Sequence, residues 1–455
     1  MSSPSEETIS IPVFMETSDA EKVAGSRWRM RVGVLLLATL MLAPLAFGAV
    51  QTWAWASLAV IAVLLLFLWG IGCVREGRAR IFWSPLYLPA GLFLLLGVIQ
   101  FIDHLSVDPI GTREALLKLV TDLIFFFLAG QLVAVASDET YRVLGLSVTV
   151  YAFLLSLVAI MQYFSGPDFD FWNFWQTHSQ HGAFGPYVNR DHYAGLMEML
   201  IPISAAYVLS LHKAHHLRRL LGFAVLLPIT SALLTGSRGG FISLLAEIVI
   251  LGAVLFKSGS VTGRRSLMTI GALGITATAI LFFWIDPGQI SKRLMGVFVP
   301  TNFSDVSYGN RGIVALDTLN IFRDHPWIGT GLGSFEIAYP RYQSLPGDDI
   351  WTHSHNDYAE ALSESGLMGG LLIFGALIIF FRRAFQNQEG RLDNVGGWIQ
   401  LGATIGCCGL LVHSFVDFNL RIPANAAWFA ACVGMAQWNL ASSRREGRAE
   451  THRVN

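Results

Sequence analysis

The chain has 455 residues, of which 53% are hydrophobic and only 14% are charged, and its formal net charge is −1. Soluble domains carry about 25% charged residues, so one soluble core cannot absorb this much apolar sequence. The near-neutral balance also lacks the basic footprint of a nucleic-acid binder.

The polar residues gather into short blocks between apolar runs of about 20 residues, the length that crosses a bilayer core roughly 30 Å thick. Met1 to Glu21 is polar and acidic, with no apolar segment after a basic start. No cleavable signal peptide is therefore expected, and the first span should target the chain. Twelve spans are predicted, in chain order Val32–Val50, Trp53–Val74, Leu86–Ile102, Ala115–Ala136, Val143–Phe164, Tyr193–Leu211, Leu217–Thr235, Gly240–Phe256, Leu267–Ile285, Tyr358–Phe381, Val395–Val416 and Ala424–Leu440. The resulting organisation is a tail (1–31), spans one to nine (32–285), a long loop (286–357), spans ten to twelve (358–440) and a second tail (441–455). The expected class is an all-α polytopic membrane protein. The four cysteines, Cys73, Cys407, Cys408 and Cys432, all fall within or beside apolar runs. They read as small core residues rather than as a disulfide or zinc framework.

Lys and Arg should collect in cytoplasmic loops. Of the 31 basic residues, 21 fall in the two tails and the even-numbered loops, nine in the odd-numbered loops, and Lys118 within a span. Both termini are then cytoplasmic, and the long loop is external. Single cysteines placed at Ser344 and Gln386 in a cysteine-free background should therefore label differently in intact cells with an impermeant thiol reagent. Position 344 should react, and labelling of 386 alone would invert the topology.

The external side holds the informative residues. Asn189-Arg190-Asp191-His192-Tyr193 precedes span six, and Thr235-Gly-Ser-Arg238-Gly-Gly240 forms a tight turn between spans seven and eight. Arg238 so close to hydrocarbon is either a ligand-binding group or an interfacial anchor for lipid headgroups. In the long loop, Arg311 to Arg323 carries Ile313, Leu316, Leu319, Ile321 and Phe322 at roughly helical spacing. This predicts an amphipathic helix along the outer membrane interface. Arg190, Arg238 and Arg311 converging from separate loops would suit a diphosphate, whose oxygens accept forked hydrogen bonds. Arg293, Arg323 and Arg341 read as solvated loop residues. Gly329-Thr-Gly-Leu-Gly333 lacks the strand-to-helix context of a phosphate loop and reads as a turn after Pro326.

His353-Ser-His355-Asn356-Asp357 stands just before span ten, whose free N–H groups and positive dipole end favour an anion. The segment is either a base with hydrogen-bond donors beside a phosphate or a polar helix cap, with Asn356 or Asp357 capping. Zinc ligation by the two histidines lacks a supporting Cys or carboxylate cluster. Lys118 and Asp122, one turn apart in span four, can neutralise each other. His413 and Asp417, also one turn apart, either buttress a site or lock two helices.

These segments resemble the O-antigen ligase and O-antigen polymerase superfamily of bacterial envelope polysaccharide assembly. The most specific match is His355-Asn356, nine residues, Gly366, two residues and Gly369. It occurs with Ser237-Arg238-Gly239-Gly240, with Asn310-Arg311 followed by Asp324-His325-Pro326-Trp327-Ile328-Gly329, with Asn189 to Gly195, and with His413 to Pro423. The resemblance covers roughly Asn189 to Ala424, and the first five spans match only in hydropathy. It implies a membrane glycosyltransferase of the GT-C-like type in the bacterial inner membrane, using an undecaprenyl-diphosphate-linked glycan as donor, inverting, and needing no metal or other cofactor. His355 matches the family's proposed catalytic histidine, and Arg238 and Arg311 match its diphosphate-binding arginines, with Arg190 and Asn356 beside them as substrate-binding candidates. The acceptor is either lipid A-core, as for a ligase, or another lipid-linked repeat unit, as for a polymerase, with the motif favouring the ligase. A flippase or proton-coupled transporter would need charge at mid-membrane depth, for which only Lys118, Asp122, Glu198 and Glu247 qualify.

Overall fold

The computed structural model describes residues 9–12, 19–165, 184–211, 216–257, 309–346, 350–385 and 391–437. A hydrocarbon core offers no water to backbone N–H and C=O groups, so apolar runs of this length close their hydrogen bonds within helices. The described helices are α1 (Asp19–Leu42), α2 (Thr52–Arg75), α3 (Tyr87–Ile102), α4 (Pro109–Ala134), α5 (Asp138–Ser165), α6 (Arg190–Ser210), α7 (His216–Leu234), α8 (Arg238–Lys257), α9 (Gly309–Asp324), the short α10 (Phe335–Ala338), α11 (Asp357–Phe385), α12 (Val395–His413) and α13 (Pro423–Ala436). Strands β1 (Ile9–Pro12) and β2 (Arg78–Ile81) form a small antiparallel ribbon, Ile9 opposite Ile81. Among the described residues, nine helices are long and apolar enough to cross a membrane, and α3 is a shorter apolar helix. The chain is thus an all-α polytopic membrane protein.

Most predicted spans appear within a few residues of their expected bounds. The first differs most: its helix starts at Asp19 and stops at Leu42, where Pro44 and two short 3-10 turns take over. The predicted span Leu267–Ile285 lies outside the described residues, as does the end of the last one.

The centre of the bundle is the pair α6 and α12. In each, 94% of the apolar window is buried, against 22–39% for the other spanning helices. Small residues permit this contact. A Cβ on Gly402 would lie 2.7 Å from Ile203 Cα and one on Gly406 2.8 Å from Met199 Cα, so the two backbones touch. The outer helices keep large apolar side chains such as Phe67, Phe223 and Val249 exposed, as lipid-facing surfaces require.

Helix α9 forms where the amphipathic pattern predicted it, but its apolar positions divide between two sides. Val314, Thr318 and Ile321 are buried, and Val314 and Ile321 pack with Phe335, Ala338 and Tyr339 in a small separate core. Leu316 (65% exposed) and Leu319 (40%) of the predicted stripe stay outside. The buried Asp317 fixes the following loop by accepting from Tyr339 Oη (3.3 Å) and from Ser344 N and Oγ (both 2.9 Å).

Helix α11 carries the motif glycine Gly366 at φ 62°, ψ −165°, which breaks the helical ladder. A Cβ there would lie 2.4 Å from Trp327 C. The segment 326–331 slots into the break and replaces the missing hydrogen bonds: Leu367 N donates to Pro326 O (2.7 Å), Met368 N to Trp327 O (3.1 Å), Thr330 N to Ser363 O and Gly331 N to Glu364 O (both 3.0 Å). Gln100 of α3 clamps the joint, donating to Ile328 O (2.6 Å) and Glu364 O (2.8 Å). Gly329 to Gly333 is therefore a backbone splint for a kinked helix.

Candidate active site

Two sequence segments more than 200 residues apart meet at one end of α6 and α12. Asn189 caps α6, its side chain accepting from Asp191 N (2.9 Å), as a helix start requires. Asn425 of α13 donates to His192 O (2.9 Å) and to Asn419 Oδ1 (3.0 Å), tying the Asn189–Gly195 segment to the His413–Pro423 segment. The loop after α12 then presents Asp417 and Phe418 towards the residues before α11.

His355 precedes α11 with φ +54°, a left-handed conformation rare outside glycine. Asn356 enforces it. Its Oδ1 accepts from Tyr358 N (3.1 Å) and Ala359 N (2.9 Å), and its Nδ2 donates to Phe415 O (3.0 Å). Asp357 N donates to Ser414 O and Glu360 N to Asn356 O (both 3.0 Å). The first four N–H groups of α11 are thus satisfied within the protein, and Asp357 and Glu360 already occupy its first turn. The anion expected at this helix start finds no free donors there, because Asn356 and Ser414 have taken them, and the acidic first turn repels it.

The His355 imidazole is paired instead. Its Nδ1 lies 3.2 Å from Asp417 Oδ1, with the carboxylate fully buried and the ring 15% exposed. Phe418 N also donates to Asp417 Oδ1 (3.0 Å). Burial alone would push the Asp417 carboxyl up; the hydrogen bond from His355 and the fields of His192, Arg311 and His413 more than offset it and hold the group well below the usual carboxylate range. An ionised Asp417 therefore stabilises the fold throughout the neutral range, and this is lost as pH falls below the usual carboxylate range towards the depressed folded-state value. With Asp417 ionised, Nδ1 of His355 is the donor and Nε2 is left as an acceptor.

Behind Asp417 stands a second histidine. His413 Nδ1 lies 2.7 Å from Glu198 Oε1, and its Nε2 is 4.0 Å from Asp417 Oδ2. His413 and Asp417 therefore buttress His355 as well as joining α6 to the loop after α12. Gly239 packs on the same ring, where a Cβ would lie 2.4 Å from it. This brings the neighbouring Arg238, at the start of α8, to the same corner of the bundle.

Arg311 at the start of α9 donates through Nη2 to Asp191 Oδ2 (3.1 Å), next in sequence to Arg190. All three candidate arginines are only partly buried. Sequence reasoning assigns no separate role to Asp191, the carboxylate that aims Arg311, and marks Glu198, which holds His413, only as a charge at mid-membrane depth. Both were visible as costly acids next to or within apolar runs, but their partners lie 120 and 215 residues away. His353 has a separate partner, Glu360 Oε1 at 2.9 Å from its Nδ1, and stacks on Phe418 at 4.4 Å between centroids. Arg293 lies outside the described residues.

No curated protein matches the chain. Residues 223–374 match the family model described as O-Antigen ligase. The matched segment contains Arg238, Arg311, His355, Gly366 and Gly369, while Arg190, His413 and Asp417 lie beyond it. Through this segment, with its histidine cap and kinked helix, the chain is similar to the O-antigen ligase family.

Proposed function

We propose that the protein is an O-antigen ligase-type glycosyltransferase that moves a glycan from an undecaprenyl-diphosphate carrier to an acceptor hydroxyl on lipid A-core, at the periplasmic face of the bacterial inner membrane. The observation that carries this reading is the His355–Asp417 pair, at the end of the bundle where Arg238 and the Asp191-held Arg311 also lie.

In the proposed reaction His355 Nε2 takes the proton of the acceptor hydroxyl, while the acceptor oxygen attacks C1 of the donor sugar. The bond from C1 to the diphosphate oxygen breaks, and the electron pair leaves on the undecaprenyl diphosphate. Asp417 stabilises the imidazolium that forms. Arg238 and Arg311, with Arg190 as a third cation, receive the charge that develops on the leaving diphosphate. Direct attack inverts the anomeric centre. Asn356 serves by fixing the cap that holds His355 in place.

The division of labour is testable by measuring donor binding and transfer separately. Arg311→Ala or Arg238→Ala removes charge-assisted hydrogen bonds worth about 1.5–3 kcal/mol each, so donor affinity should fall about 10- to 100-fold. The Lys variants keep the charge but lose the fork and should recover only part of it. Unchanged donor affinity in both Ala variants would remove the arginines from the diphosphate site.

A further inference from the structure

We infer that the large cavity beside His353 is a binding site for the sugar part of the acceptor, and that it takes hydroxyl-rich, neutral or amino-bearing glycan while excluding phosphate. This rests on the glycosyltransferase reading above and adds the chemistry and place of the acceptor.

The cavity has a volume of about 670 Å³, inside the range of roughly 300–1,000 Å³ typical of small-ligand sites. It is walled by α2, α4, the loop before α10 and the first turns of α11, and none of His355, Arg238 and Arg311 lines it. A smaller chamber of about 360 Å³ lies against it, and His353, Thr352 and Arg421 line both. His353 stacks on one ring, Phe418, that His355 meets edge-on at 4.8 Å between centroids. A ligand in the cavity thus touches His353, which shares the Phe418 ring with His355, and does not touch Arg238 or Arg311.

Charge decides the class of ligand. Seven carboxylates line the cavity against one lysine and one arginine. Arg421 is spent on Glu360 (3.2 Å) and Glu364 (2.7 Å). Lys118 lies over the indole of Trp55 at 5.2 Å, with Glu114 and Asp122 acting on its charge. Among the described residues no cation pairs with Glu336, with Asp108, whose Oδ1 caps α4, or with the open Oδ1 of Asp357, so the wall disfavours phosphate and accepts hydrogen bonds from hydroxyl or ammonium groups. Trp55, Phe93 and Ile337 add apolar surface for the C–H faces of a sugar ring.

Independent evidence for a ligand comes from polar atoms left over. Asp357 is 5% exposed; its Oδ2 accepts from Ser414 Oγ (2.8 Å) and Leu420 N (3.2 Å), but Oδ1 has no hydrogen-bond partner among the described residues. In the adjoining chamber His192, 6% exposed, leaves Nε2 equally unpartnered. Buried polar atoms without partners are rare because each costs the loss of its hydration. A hydroxyl-rich ligand would supply what both lack.

The test uses the full-length protein in nanodiscs. With Thr352→Cys, the rates of modification by methyl, trimethylammonioethyl and sulfonatoethyl methanethiosulfonate are compared, the native chain giving the background. The cationic reagent should react at least tenfold faster than the anionic one; equal rates, or faster anionic labelling, would overturn the assignment. Glu336→Gln and Trp55→Ala should each raise KM for the acceptor about tenfold, the scale of one or two lost contacts. Maximal rate and donor affinity should stay as in the native protein. The transfer assay is run with lipid A-core and, separately, with a second lipid-linked repeat unit, and the acceptor whose KM moves is the one that occupies the cavity. A change in donor affinity with acceptor KM unmoved would make the cavity a donor site, and no change in either would leave it without a ligand role. If Arg311→Ala and His355→Ala also fail to impair transfer, the glycosyltransferase reading itself falls; if they impair it as expected, only the cavity assignment does.

Discussion

His355→Ala should lower the rate of glycan transfer by about 10²–10⁴-fold, the usual contribution of a positioned general base. Donor affinity should be largely retained. Asp417→Asn should do nearly as much damage at lower structural cost. The amide keeps the shape of the carboxylate, but it no longer stabilises the imidazolium or fixes Nδ1 of His355 as the donor, 3.2 Å away. His353→Ala separates the two histidines, because its Nδ1 is committed to Glu360 and it stacks on Phe418, which His355 meets edge-on. At saturating acceptor it should leave the maximal rate within a few-fold of the native protein. The measurement is transfer by each variant, normalised to membrane expression, beside binding of the lipid-linked donor. Normal transfer by His355→Ala, or loss of donor binding as complete as in Arg311→Ala, would remove His355 as the base and place it with the cap or the diphosphate clamp.

Arg421→Met should cost the most stability of any single change considered. Arg421 bridges Glu360 and Glu364, whose side chains are each about 1% exposed, while its own is 23% exposed. Removing the guanidinium strands two carboxylates that water can barely reach, and breaking a buried pair in this way costs about 3–5 kcal/mol. The effect should spread to the splint at Gly366, because Glu364 Oε1 also accepts from Phe335 N (3.3 Å). Thermal unfolding in detergent should show a clear drop in Tm. The triple variant Arg421→Met, Glu360→Gln, Glu364→Gln should recover much of it, since neutral amides no longer need a cation. If the triple variant is as unstable as the single one, the guanidinium acts by packing and hydrogen bonding rather than by charge.

Composition and spacing alone determined that the chain is a helical membrane protein, because apolar runs separated by short polar blocks have one stable form in a bilayer. They also marked the stretches that meet at the candidate site: the cap residues around His355, the glycines of Ser237–Gly240, and the polar segments Asn189–Tyr193 and His413–Arg421. A capping side chain acts on N–H groups two and three residues ahead, so the helix start at Asn356 was legible where it stands. The tertiary structure decided which of these residues act together. Asp417 reads in sequence as an acid one turn from His413 that either buttresses a site or locks two helices, and only the return of the loop after α12 sets it against His355, 62 residues away. Asp191 and Arg311 are likewise paired by packing across 120 residues. At the start of α11, where an anion is one expectation, Asn356 takes three of the N–H donors locally, and the fourth, Asp357 N, goes to Ser414 O, a residue no local pattern connects to it. Gly366 could be matched to a motif from sequence, but its purpose, to open α11 for the backbone of 326–331, exists only once that segment has folded back onto it. Local hydrogen bonding and burial follow from neighbours in the chain, whereas pairing of charges depends on which helices meet.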